Sequence, residues 1–246
     1  VLAPESQPLG ADFAFGVLDE LAAAGSPEVR AGAAESVERT LPFLASVAEN
    51  GGVPIVLPSI LDHPRADHWN DRPYQPELNP TARLVGVARA LGVEHPWLDQ
   101  AASFCRQAVA GKVDASPSRS AHTEPYDAHN ARCVARFLET EPDRAWAEPA
   151  YRTLGEQLPK LPWFQAMPDE GYGLTPLHFA PAPDSPARVF FEDKQLEAHL
   201  DALASQRQDD GGWPVTWEPP GPASVLAWRG VWTLDAERTL RAYGHS

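Results

Sequence analysis

The amino-acid sequence predicts an all-α protein, on three observations. Apolar residues recur at helical spacing along most of the 246 residues, as one buried face of a 3.6-residue period requires. Prolines and glycines punctuate those segments, proline in the first turn and glycine just past the last. Strand signals are thin: the β-prone run VPIVLPSI at 53–60 is broken by two prolines. No βαβ alternation and no GxGxxG or GxxxxGK[ST] phosphate loop is present.

The elements follow in order. The stretch ADFAFGVLDELAAA (11–24) places Phe13, Val17 and Leu21 on one face, predicted to be the core face, with Gly25 as stop. A second helix, 27–50, starts at Pro27 and is interrupted or kinked at Pro42, where proline removes a backbone donor. A third, ELNPTARLVGVARAL (77–91), carries Leu84, Val87, Ala88 and Leu91 on one stripe and closes at Gly92. A fourth runs from Pro96 to Gly111 with Trp97, Ala101, Phe104 and Ala108 facing inward, and DAHNARCVARFLE (127–139) and 143–158 make a fifth and sixth. The strongest pattern is 186–207, with Leu196, Leu200 and Leu203 in register; there Phe190 or Phe191 is core, and Glu192 and Asp193 face solvent. The last helix is 223–244.

The helices repeat weakly. ENGGVP (49–54), PDEGYGLTP (168–176) and QDDGGWP (208–214) are related loops at helix ends, and LNPTARLVGVARAL echoes YDAHNARCVARFL, with Ala82 and Ala131 49 residues apart. Long helices with a repeat of this size suggest an α/α toroid or a solenoid.

The segment 208–222 holds four prolines in fifteen residues and cannot be helix. Its acids Asp209 and Asp210 suit backbone N–H groups of a turn, Gly211 and Gly212 suit positive φ, and Trp213 suits a cover for the helix end. Trp217 lies outside that clasp and either lines a cavity or packs on the turn. LDALASQRQDDGGW (200–213) resembles the repeat motif of the terpenoid-cyclase and protein-prenyltransferase superfamily, in which a Gln and a short spacer precede Asp-Gly-Gly-Trp. The spacer is one residue longer here if counted from Gln206. The resemblance implies a single α/α toroid over 1–246, inner helices around a central cavity and outer helices packed on them.

The superfamily's reactive motifs do not carry over. LNPTA at 78–82 ends like the acid motif of protonation-initiated cyclases but holds Asn79 and Pro80 in place of carboxylates, and Asn has no ionisable proton. No DDxxD cluster for Mg²⁺-diphosphate stands on a suitable helix. Asp127, Cys133 and His122 or His129 are the residue types of the prenyltransferase zinc site, but they share one segment. No cofactor is expected.

A net charge of −14 disfavours nucleic acid and anionic membrane surfaces, which recruit basic patches. No apolar run reaches the roughly 18–20 residues of a membrane span and no signal peptide is visible, so a cytoplasmic protein is expected. The chain opens at Val1 without Met, as after processing or trimming. Cys105 and Cys133 match no disulfide framework or CxxC site and read as small buried hydrophobes.

The polar residues at predicted helix starts are the candidate chemistry. HTEPYDAHNA gathers His122, Glu124, Asp127 and His129; a His near carboxylates is a candidate general acid/base, while for Asp127 taken alone the N-cap is the favoured role. DHPRADHWND (62–71) is dense in His and Asp and reads as an exposed loop or a metal site of no standard spacing. Trp69, Asn79, Tyr126, Tyr172, Phe191 and Trp217 are the candidate pocket lining. Three functions fit: an enzyme folding or isomerising a hydrophobic, isoprenoid-like molecule with aromatic faces stabilising a cation; a non-catalytic binding or scaffold protein of the same fold; and a glycan-active toroid with paired carboxylates.

Overall fold

Five helices begin on a proline (Pro8, Pro27, Pro96, Pro176 and Pro222), where the fixed φ suits the first turn and the missing N–H has no intrahelical acceptor to lose. The computed structural model describes residues 4–70, 73–113, 126–217, 219 and 221–245. Among them are nine α-helices: α1 (Pro8–Ala24), α2 (Pro27–Ser46), α3 (Leu78–Ala90), α4 (Pro96–Val113), α5 (Ala128–Thr140), α6 (Arg144–Gln157), α7 (Pro176–Phe179), α8 (Asp193–Ser205) and α9 (Pro222–Ala242). Extended pairing among the described residues is confined to isolated bridges, so the protein is all-α. No helix there is long and apolar enough to cross a membrane. The chain forms two compact units, Val1–Glu124 with Asn130–Leu154 and Pro125–His129 with Gly155–Ser246.

In the first unit α1 packs on α2 and α3, and α3 on α4. The α3 stripe Leu84, Val87, Ala88 and Leu91 is buried as expected, and Gly92 ends the helix at φ +74°. On α4, Trp97 and Ala101 are buried, but the stripe continues through Cys105 and Val109, leaving Phe104 and Ala108 half-exposed. Pro42 stays inside α2, which runs on to Ser46. The run 53–60 forms no strand: Ile55, Val56 and Ile60 make a small core with Leu9, Trp69 and Tyr74 around it.

The first helix corrects the sequence reading. Phe13, Val17 and Leu21 are exposed, and α1 buries Asp12, Phe15 and Gly16 instead. Two arginines account for the turn of the helix. Arg83 Nη1 donates to Asp12 Oδ2 at 2.9 Å and Arg136 Nη2 to Asp19 Oδ1 at 2.7 Å. Gly16 makes room for the first pair, since a Cβ there would lie 1.9 Å from the Arg83 guanidinium. A second ionic group closes the same unit: Glu141, 1% exposed, accepts Arg89 Nη1 at 2.9 Å and lies 3.4 Å from Arg106 Nη1. Arg106 also bonds Asp143 at 2.6 Å and covers the Trp146 ring. Buried carboxylates persist where cations answer them.

In the second unit α8 packs on α7 and α9. The helix expected over 186–207 is split: Pro186–Phe190 is a 3₁₀ turn, Phe191 is extended, and α8 starts at Asp193 with a Glu192–Gln195 capping box. The reciprocal cap satisfies two orphan donors and lets Phe191 drop into a cluster with Phe164, Phe179 and Phe190. Leu196 and Leu200 are buried, Leu203 partly so, and Glu192 and Asp193 are exposed.

The turn between α8 and α9 is a clasp. Trp213 is 1% exposed; its Nε1 donates to Leu203 O at 2.7 Å and its N–H to Thr233 Oγ1 at 3.1 Å. Gly211 has φ +85°, while Gly212 does not take positive φ; its missing side chain admits Arg229, whose guanidinium would lie 2.6 Å from a Cβ there. Of the two aspartates Asp210 serves the turn, accepting Gly212 N–H at 3.1 Å and the Arg229 guanidinium. The Arg229 hydrogen bond, with the Gly212 N–H, holds its carboxyl down at about 2.

Two stability outcomes follow. Arg83→Met should cost about 3–5 kcal/mol, the scale for leaving one buried partner unpaired, with much of it recovered in the Asp12→Leu/Arg83→Met double variant; urea unfolding of the four chains measures this. Trp213→Ala should cost about 3 kcal/mol, as for a large aromatic leaving a packed site, and an unchanged urea midpoint would contradict the clasp.

Candidate functional site

The second unit carries a chain of aromatic rings at the start of α5. Asp127 precedes the helix and its Oδ1 accepts the His129 N–H at 2.9 Å, an N-cap contact to the second helical residue. The N–H of Ala128 donates to Pro162 O at 3.0 Å, which ties the helix start to the loop 161–174. That loop is held by Gln165 N–H to Leu174 O at 2.8 Å and Leu174 N–H to Trp163 O at 2.7 Å. Trp163 sits at φ +61°, a costly conformation for a bulky residue, on the order of 1–3 kcal/mol. The next residue, Phe164, joins the phenylalanine cluster, while Trp163 stays 57% exposed.

His129 is central. Its Nδ1 lies 3.7 Å from Asp127 Oδ1, and its Nε2 is 2.7 Å from the Tyr172 hydroxyl. The imidazole tautomer sets which of Nε2 and the phenolic O–H donates in that bond. The imidazole and phenol rings also stack, 5.7 Å apart and 12° from parallel. The imidazole and the phenol are thus within proton-transfer distance of each other, with the Asp127 carboxylate as a neighbouring charge.

Tyr172 meets Trp163 at 6.1 Å and Trp217 at 5.7 Å. Trp217 in turn meets Trp228 and Trp232 edge-to-face, at 5.2 Å each, and Trp232 lies against His178. Trp217 therefore belongs to this cluster, separate in role from the Trp213 clasp. The cluster brings together Asp127, His129, Tyr172 and Trp217 from the sequence candidates and adds Trp163, Trp228, Trp232 and His178. The i, i+4 spacing of Trp228 and Trp232 on α9 was a legible signal; the turn of Trp163 was not.

The other candidates stand elsewhere. Tyr126 is half-buried just before the cap. Phe191 is 7% exposed in the phenylalanine cluster. In the first unit, Trp69 borders the Ile55 core, and Asn79 Oδ1 accepts the Cys133 thiol at 3.6 Å. His122 and Glu124 lie outside the described residues. In 62–71, His63 pairs with Glu5 at 3.2 Å and Arg65 bonds Asn70 at 2.7 Å; among the described residues no group of three or more His, Cys, Asp or Glu has a metal-binding arrangement, and Asp71 is outside them. Burial pushes the Cys105 thiol far up, as for a structural cysteine.

One buried group supports the site loop from beneath. His199 on α8 is 4% exposed and bonds the backbone of Gln165 and Ala166, while its Nε2 has no partner. Burial holds its pKa below the usual 6.5. No protein-family model, curated protein or solved structure matches the chain.

The His199 shift has a measurable consequence. Between the depressed folded pKa and 6.5 the unfolded chain binds more protons, so stability falls on acidification through that window, by at most about 1.4 kcal/mol per pH unit for one proton. Wild type should therefore lose stability faster than His199→Gln from pH 7 to pH 5 in urea titrations; parallel curves would remove His199 from the acid response.

Proposed function

We propose that the chain is an α/α toroid of the terpenoid-cyclase and prenyltransferase type that acts on a hydrophobic, isoprenoid-like small molecule. The observation that carries this reading is the Asp127–His129–Tyr172 line ending on the aromatic cluster of Trp163 and Trp217. The clasp at 208–213 and the packing of successive helices, α1 on α2, α3 on α4 and α8 on α9, support the toroid. In this reading Tyr172 presents the proton and His129 accepts or returns it. Asp127 keeps the imidazole in the right tautomer, and the indole faces hold the apolar body of the substrate and stabilise positive charge that develops on it. The negative net charge supports a small-molecule partner over nucleic acid.

A second reading is binding without turnover on the same fold. Asp127 favours it, because its Oδ1 already serves the helix cap. One substitution series separates the two. Asp127→Asn keeps the capping oxygen and loses the ionisable carboxylate, and Tyr172→Phe keeps the ring and loses the hydroxyl. With prenyl alcohols, prenyl diphosphates and squalene-like polyenes as test substrates, the enzyme reading expects a loss of about a hundredfold or more in turnover in Asp127→Asn, His129→Gln and Tyr172→Phe at unchanged stability. Full turnover in all three, or no turnover by wild type with ligand binding retained, would leave the binding reading.

A further inference from the structure

We infer that α9 is a self-association surface: its exposed face meets the same face of a second copy of this chain, antiparallel and about a two-fold axis at Gly230. This does not rest on the proposed activity, because Trp228 and Trp232, which join the aromatic cluster, lie on the other side of the helix by its 3.6-residue period.

A surface helix carries charge on the side that water sees, and a helix apolar all round is covered by something. From Pro222 to Leu234 the only charged residue of α9 is Arg229, which is engaged with Asp210 and Gln208. Half-buried Trp228 and Trp232 take the inner side. The outer side is Ala223, Leu226, Ala227, Gly230, Val231 and Leu234, all exposed, with Leu226 at 70% and Leu234 at 58%. Gly230 sets this face apart further. Glycine in mid-helix costs backbone entropy against alanine, yet a Cβ there would meet nothing within 4 Å, so no contact among the described residues requires the glycine. A second helix crossing at that point does, since a missing side chain lets two backbones approach.

The order of the residues selects the occupant. Leu226, Gly230 and Leu234 form one i, i+4, i+8 row, symmetric about the glycine. A two-fold contact requires a patch that complements itself, residue i meeting j and j meeting i. Antiparallel crossing of two such rows sets Gly230 against the partner's Gly230 and Leu226 against the partner's Leu234 on both sides of the axis. Charge agrees with a second copy. A chain of net charge −14 repels its copy over most of its surface, whereas this face brings no charge to the contact. An anionic membrane fits less well, since an interfacial helix presents lysine or arginine beside its apolar face, and the one arginine of the segment is held by Asp210. Residues 222–234 span about 20 Å of helix, which covers less than the roughly 800 Å² per partner of a standard interface, so the dimer is a reversible one in the micromolar range.

Sedimentation equilibrium of the whole chain from micromolar to millimolar concentration tests this. Wild type should pass from monomer to dimer with no larger species, because an isologous contact closes. Leu226→Glu and Leu234→Arg, both at exposed positions, should each weaken the dimer by at least about tenfold at unchanged far-UV circular dichroism. An equimolar mixture of the two should recover a dimer, since the register sets one changed position against the other. Gly230→Ala should raise the thermal midpoint of the dilute monomer and still weaken the dimer, opposite signs that a purely structural glycine would not give. Val17→Lys, on the exposed face of α1, should leave the dimer as it is. A chain that stays monomeric throughout, a dimer indifferent to both leucine variants or lost in Val17→Lys, a mixture that fails to re-form it, or open-ended assembly overturns the inference. Binding to phosphatidylcholine–phosphatidylglycerol vesicles by a chain that does not self-associate assigns the face to lipid and overturns it as well.

Discussion

The clasp under Trp213 sets the geometry of the second unit. A buried indole needs a partner for its N–H, and Leu203 O at the end of α8 supplies it. The Trp213 backbone N–H bonds Thr233 on α9, so one residue fixes the end of one helix against the side of the next. Arg229 completes the joint by bonding Asp210 and Gln208 across Gly212. Trp228 flanks this arginine, and Trp232 lies one turn beyond Trp228. The clasp that reads as a structural motif therefore also aims the tryptophans of the candidate site.

The first unit is organised by charge in a way that inverts the usual expectation for an amphipathic helix. Burying Asp12 against Arg83, with Asp19 half-buried against Arg136, turns the apolar stripe of α1 outward. Taking a carboxylate out of water is costly, and the ion pair returns enough of that cost only when the geometry is good. Gly16 provides the geometry by leaving space for the guanidinium. Glu141 follows the same rule with Arg89 and Arg106.

The candidate site places its chemistry on the junction of a helix start and a strained loop. Asp127 serves as cap and as neighbour of the imidazole, so the acid that shapes the helix start also stands beside the His129 ring. Trp163 accepts an unfavourable backbone conformation, and the adjacent Phe164 is packed among phenylalanines. Packing of one residue thus sustains the exposure of the next, and His199 holds the following backbone from the interior.

The sequence by itself determined the all-α class, most helix positions and the clasp, because periodicity, proline starts and the DDGGW turn are local signals. It also gave the cap at Asp127 and the burial of the α3 stripe. It misread α1, where Phe13, Val17 and Leu21 form the better apolar face, because the arginines that pair with Asp12 and Asp19 lie 71 and 117 residues away. It extended α8 back to 186, because Phe190 and Phe191 fit a helical period as well as they fit a cluster with Phe164 and Phe179. The meeting of His129 with Tyr172, 43 residues apart, and the convergence of Trp163, Trp217 and Trp232 on one surface were decided by tertiary structure alone. Hydrogen bonds and ring contacts over such separations depend on which faces the helices present to one another, and no local pattern encodes that.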